Sequence, residues 1–330
     1  MSTGGGRAAR FPGRRGRSGT AGGSCRAGKG GRRGRRPGPS PGADPVGRPG
    51  RARPRRREPC VRADATDGVT NRPAATRVRV VNVESPEQRL PGGFVTEVVR
   101  VGDTVRRQPA GNAEFVRRLL RHFERHRWPH APRFLGVDAQ GREILTFIDG
   151  FVAWREGDQP PAVRCADSLA RVARLVREFH DLTAGTDLAG DREVVCHNDL
   201  SPKNTVYRDL GAGLRPVALI DWDVAAPGDR VQDVAHVCWQ YLNLGPDVAD
   251  TAESARLVRL IADAYGLADR SSLVDAILWW QDRCWRGIEA AAAAGEPAMI
   301  RLRDLGVTRR VRLAYRWTAD NRAHLGRALD

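Results

Sequence analysis

Lysine is almost missing from this chain: Lys29 and Lys203 stand against 53 arginines. A function that needs a lysine has only two places to find one. Long apolar runs are missing too, and none approaches the roughly 20 residues that cross a bilayer, so no membrane partner is expected. The basic N-terminus is never followed by an apolar segment of signal-peptide type, which leaves a cytoplasmic location as the expectation. Six cysteines (Cys25, Cys60, Cys165, Cys196, Cys238 and Cys284) are scattered without a CxxC pair or a tight His/Cys group. That spacing argues against structural zinc and for reduced thiols. No GxSxG elbow marks a hydrolase nucleophile, so Ser85, Ser168 and Ser201 are set aside. No GxGxxG phosphate loop and no internal repeat are present either.

What is present divides near residue 75. The formal net charge is +16. Residues 1–75 hold 18 arginines and Lys29 against four acids, so this arm accounts for +15 and the remainder is near neutral. The arm also contains 17 of the 36 glycines and 9 of the 21 prolines, with almost no aliphatic residue larger than alanine. A segment of that kind cannot bury enough apolar surface to offset its ordering entropy, so residues 1–76 are expected to be disordered. Two readings of the arm are open. Runs such as Arg32-Arg33-Gly34-Arg35-Arg36 suit nucleic acid, by counterion release, although Phe11 is the arm's one aromatic residue. A GC-rich stretch translated from upstream of the true start has the same composition. The next methionine is Met299, so such a start would fall near Val69 or Val78.

Past residue 76 the pattern is globular. Arg77–Val83 alternates apolar and polar residues as a half-buried strand does. Phe94–Val101 and Thr104–Gln108 read as a strand pair turned at Gly102-Asp103. A helix follows over Ala113–His126, stopped by Pro129, then strands at Phe134–Val137 and Glu143–Ile148. Helices are expected at Ala166–Leu182, Val231–Leu244, Thr251–Tyr265, Leu273–Ala294 and Ala298–Tyr315, interrupted by short apolar segments at 194–196, 205–207 and 217–220. The fold class is α+β: a small antiparallel-sheet lobe over 77–150 and a mainly helical lobe over 151–330. That is the outline of a two-lobed kinase.

The chemistry concentrates in Cys196-His197-Asn198-Asp199-Leu200-Ser201-Pro202-Lys203-Asn204 and in Ala218-Leu219-Ile220-Asp221-Trp222-Asp223. Phosphoryl transfer from ATP needs an acceptor for the substrate hydroxyl proton and oxygen ligands for Mg²⁺. A carboxylate and an amide five residues apart on one loop supply a base and a ligand; a carboxylate ending the next strand supplies another. HNDLSPKN with IDWD resembles the aminoglycoside phosphotransferase family, whose fold is related to protein kinases and choline kinases. The resemblance implies Asp199 as catalytic base, Asn204 and Asp221 as Mg²⁺ ligands, and His197 as a hydrogen-bonding brace. Asp233 matches a downstream segment of the family and is expected to be a structural anchor, and the pair His180-Asp181 to cap the core. Lys203, four residues past the base, is either a partner for the transferring phosphoryl group or a solvated charge.

In the small lobe, Gly92-Gly93 stands where the family places its phosphate loop, although a plain hairpin turn has the same composition. With no lysine between Lys29 and Lys203, an arginine must hold the α- and β-phosphates. Alternation leaves one of Arg106 and Arg107 facing the cleft, and Arg106 is favoured. The helix acid that pairs with this residue in the family is not clearly present; Glu114 lies about half a turn early. Phe147 and Ile148 fall on the hinge strand, where adenine would bond to backbone groups. The histidines 122, 126 and 130 read as a solvated basic face rather than a metal site, and Trp279, Trp280 and Trp285 as core more than as a cage for a quaternary ammonium. The expected function is ATP- and Mg²⁺-dependent transfer to a hydroxyl of a small molecule, with the acceptor open. The alternatives are a non-catalytic nucleotide binder and a nucleic-acid-interacting protein acting through the arm. The oligomeric state is not readable.

Overall fold

The computed structural model describes residues 86–90, 97–154, 159–211 and 213–330. The arm, the strand expected at 77–83 and the Gly92-Gly93 turn lie outside these residues. The first sheet has five antiparallel strands: β1 (Gln88–Arg89), β2 (Val98–Val101), β3 (Thr104–Arg107), β4 (Phe134–Val137) and β5 (Glu143–Thr146), in the order β1-β2-β3-β5-β4. Gly102 turns β2 into β3 with a φ of 60°, a conformation a side chain would resist. β3 pairs with β5 so that Arg107 stands directly opposite Glu143. One helix, α1 (Ala113–Arg125), packs here through Val116, Leu119, Leu120 and Phe123, all buried. It ends before Pro129 through Arg127, at a φ of 55°, with the Trp128 N–H returning to the Phe123 carbonyl at 3.0 Å.

A helical body follows. It contains α2 (Ala166–Thr183), α3 (Arg230–Leu242), α4 (Thr251–Tyr265), α5 (Leu273–Ala293), α6 (Pro297–Asp304), α7 (Val307–Asp320) and α8 (Arg322–Arg327). The body also holds two small sheets. One is β6 (Phe151–Val152), β8 (Thr205–Asp209) and β9 (Leu214–Leu219); the other pairs β7 (Val194–Cys196) with β10 (Ala226–Gly228). A small antiparallel sheet preceding a helical body is the two-lobed, protein-kinase-like architecture.

The single helix expected over Ala298–Tyr315 is two helices. Gly306, at a φ of 74°, separates α6 from α7, because a left-handed residue cannot continue a right-handed helix. Trp222, 2 % exposed, joins the parts of the molecule. Its ring lies 5.0 Å from Phe123 of α1, 5.1 Å from Phe179 of α2 and 4.4 Å from His197. Such aromatic packing holds the loop and the strand end on one rigid base.

Candidate active site

The loop between β7 and β8 carries His197 to Asn204, and Asp221 follows β9 by one residue beyond Ile220. Two backbone details shape the loop. Asn198 and Asp221 both have a φ of 66°, in the left-handed region that residues with side chains enter at a cost. Asp233, fully buried on α3, holds the first of them in place. Its Oδ2 accepts the His197 N–H at 2.7 Å and its Oδ1 accepts the Asn198 N–H at 3.0 Å. His180 Nε2 donates to the same carboxylate at 3.1 Å, and His180 Nδ1 lies 2.8 Å from the Tyr265 hydroxyl. Burial would push the Asp233 carboxyl up, but these donors outweigh it and hold it below the usual carboxylate range. His180 is pushed down by burial, so it sits in this network as a neutral ring.

His197 is wholly buried and uses both ring nitrogens internally. Nε2 donates to the Ile220 carbonyl at 3.0 Å, and Nδ1 accepts the Asp199 N–H at 3.3 Å. The ring thus bridges the loop and the strand end. Asn204 adds a second bridge. Its Nδ2 donates to Asp199 Oδ2 at 2.7 Å and to the Asp199 carbonyl at 2.8 Å, while its own carbonyl accepts the Ile220 N–H at 2.9 Å. Asp199 and Asn204 are therefore bonded to each other, and Ile220, the residue before Asp221, is bonded to both His197 and Asn204. Lys203 joins them: Nζ lies 3.5 Å from Asp199 Oδ2. Burial pushes the Cys284 thiol of α5 up to about 11, with the Asp199 charge adding to the rise and Lys203 opposing it.

The two arginines of β3 diverge. Arg106, the one favoured from sequence, turns to the Thr104 hydroxyl and lies 3.9 Å from Asp138. Arg107 is the one at the strand end. Its Nη1 is 2.5 Å from Asp223 and 3.7 Å from Asp221, and its Nε donates to Glu143 Oε2 at 3.2 Å. The reason is register: Arg107 opposes Glu143 across the ladder, so the two side chains share a face. The Asp223 carboxyl is raised above its ordinary value, chiefly by burial, against the pull of Arg107 and with Asp221 adding to the rise.

The Phe147 N–H is engaged inside the small lobe. That group donates to the Asp103 carbonyl at 2.9 Å, and the Arg100 guanidinium lies 3.8 Å over the ring. Glu114 is exposed and pairs with Arg117 at 3.9 Å. Glu143 and Arg117 were not singled out by sequence. The antiparallel pairing of β3 with β5 was the signal for Glu143, once the register was known.

A small antiparallel sheet ahead of a helical body, with Asp199 and Asn204 bonded on one loop, is the kinase-like architecture. The model of the phosphotransferase enzyme family matches residues 183–275. A 217-residue stretch is 34% identical to the trifolitoxin immunity protein of Rhizobium leguminosarum bv. trifolii, covering 57% of this chain and 78% of that protein. This chain belongs to the phosphotransferase enzyme family. Among solved structures it is similar to an aminoglycoside phosphotransferase from Streptomyces rimosus, at 18% identity and a TM-score of 0.46, covering 60% of this chain and 91% of that one. An ethanolamine kinase from Plasmodium vivax gives 14% identity and a TM-score of 0.44, covering 59% and 72%. Among the described residues no helix is long and apolar enough to cross a membrane.

Proposed function

We propose that this phosphotransferase moves the γ-phosphoryl group of ATP to a hydroxyl of a small molecule, with Asp199 as the base. The observation that carries the reading is the bonded chain from Asp199 through Asn204 to Ile220, which ties the Asp199 carboxylate and the Asn204 amide to the strand end before Asp221. Phosphoryl transfer asks little covalent chemistry of a protein; it asks for positioning and charge compensation. Asp199 Oδ1 is the oxygen not engaged by Asn204, and it receives the acceptor hydroxyl proton. Lys203 faces the transferring group from the same side. Arg107 holds the nucleotide phosphates, in place of the arginine favoured from sequence, and Gly92-Gly93 keeps its reading from sequence as the phosphate loop.

The donor set fits Mg²⁺. Asn204 spends its Nδ2 on Asp199, so its Oδ1 is the end left for a cation, and the Asp221 carboxylate is about half exposed. Both are hard oxygen ligands of the kind Mg²⁺ takes in nucleotide sites. When bound, the ion neutralises charge on the phosphates. The reading also places the nucleotide against residues 77–150 and the acceptor against residues 151–330.

The test is the purified full chain with ATP, Mg²⁺ and a panel of alcohols, aminoglycosides and, because of the relative's name, trifolitoxin. The expected result is a phosphorylated product, detected by mass spectrometry, and a loss of several orders of magnitude in Asp199→Ala with ATP binding kept. ATP binding without transfer to any acceptor would favour a non-catalytic nucleotide binder. Nucleic-acid binding by the full chain that weakens steeply with salt would return the function to the arm.

A further inference from the structure

The acid that positions a phosphate-holding residue is expected on the helix of the small lobe, and α1 does not provide it. Its first-turn acid, Glu114, points to solvent. Glu143, at 1 % exposure, is the deepest acid of the small lobe among the described residues, and both of its oxygens are taken by arginines. Oε1 accepts from Arg117 Nε of α1 at 2.9 Å, and Oε2 accepts from Arg107 Nε at 3.2 Å.

We propose that Glu143 of β5 is the positioning residue for Arg107, and that Arg117 ties α1 to the same carboxylate, so that the helix contributes the cation and the sheet the acid. This rests on the reading of Arg107 as the residue that holds nucleotide phosphates. Two features of the geometry carry it. A guanidinium is a rigid planar fork, so gripping one end fixes where the other points. Glu143 grips the Nε end, and the Nη1 end is turned to Asp221 and Asp223 at the strand end. The grip also comes from the residue directly across the ladder, so β3 and β5 set it without help from the helix. Arg107 divides its one positive charge between Glu143 at one end and Asp221 and Asp223 at the other. An anion arriving at Nη1 competes with Asp221 and Asp223 and leaves the Glu143 contact intact.

The experiment is ADP binding by calorimetry and steady-state kinetics on the full chain, for wild type, Glu143→Gln, Glu143→Asp and Arg107→Met, and for the double variant of Arg107→Met with Glu143→Gln. Glu143→Gln should weaken nucleotide binding by about tenfold, the scale of one charge-assisted bond, and raise the nucleotide KM while leaving the acceptor KM unchanged. Glu143→Asp should recover part of the loss. In the Arg107→Met background, Glu143→Gln should change nucleotide binding by less than about twofold, since its effect runs through Arg107. Should Glu143→Gln alone unfold, Glu143→Asp, which keeps the charge, is compared with and without Arg107 in its place. A wild type that binds ADP alongside a folded Glu143→Gln with unchanged affinity overturns the proposal. So does an equal effect of Glu143→Gln with and without Arg107. A wild type that binds no nucleotide overturns the reading of the whole site instead.

Discussion

Replacing Asp233 by Asn removes one charge from a fully buried position and leaves the shape nearly unchanged. The carboxylate accepts three bonds, from His180 Nε2, the His197 N–H and the Asn198 N–H. An amide can turn its single oxygen toward only one side, so at least one of those donors must face an NH₂. A hydrogen bond to a charged group contributes about 1.5–3 kcal/mol against about 0.5–1.5 kcal/mol for a neutral one, so two donors lose about 1 kcal/mol each, and the donor left facing NH₂ costs about 1–3 kcal/mol more. The expected loss for Asp233→Asn is therefore about 3–5 kcal/mol. At roughly 2–4 °C per kcal/mol for a body of this size, Tm should fall by about 6–20 °C. Thermal unfolding at neutral pH, followed by circular dichroism, reads this directly. A fall of less than about 3 °C would mean that the loop donors have other partners and that Asp233 does not anchor the left-handed turn at Asn198.

Other outcomes follow from the same geometry. Burial depresses His180, His236 and His122 below their ordinary value of 6.5, so unfolding takes up protons as pH falls through that value. Stability should be steady above pH 7 and decline between about pH 6.5 and 5 in urea titrations; a flat profile there would contradict neutral burial of these rings. Gly228→Ala would put a Cβ against Gln232 Oε1 and 2.7 Å from Cys196 Sγ, disturbing the capping box of α3, and should cost about 1–3 kcal/mol by the same titration. Arg107→Met should weaken nucleotide binding while Arg106→Met leaves it within about twofold, as calorimetry would show. Asp221→Ala should be inactive at every Mg²⁺ concentration, whereas Asn204→Ala should be partly rescued by raised Mg²⁺ or by Mn²⁺, because a lost carboxylate removes a full charge and a lost amide only a dipole.

The site was legible in sequence where it is local. Asp199 and Asn204 lie five residues apart on one loop, and the apolar run before Asp221 marks the strand that delivers it. The order of small sheet and helices was legible for the same reason, since periodicity is a property of neighbours in the chain. What depended on strand register was not. Alternation showed that Arg106 and Arg107 face opposite ways, but only the pairing of β3 with β5 shows that Glu143 waits on the Arg107 side. The break at Gly306 was hidden because a lone glycine in a helical pattern is usually tolerated; here its left-handed backbone ends α6. Trp222 read as part of a motif, and its burial among Phe123, Phe179 and His197 shows a second duty in packing.

The most direct measurement of the central claim is phosphoryl transfer from labelled ATP by wild type and Asp199→Asn, side by side, on the acceptor that the panel identifies. Asparagine keeps the size of the side chain and an oxygen for Asn204 to meet, so folding and nucleotide affinity should stay near wild type. The account predicts a fall in kcat of about a thousandfold or more, within the range that removal of a catalytic base produces. An Asp199→Asn protein that transfers phosphate at the wild-type rate would show that the proton leaves by another route and that the loop is not the catalytic one.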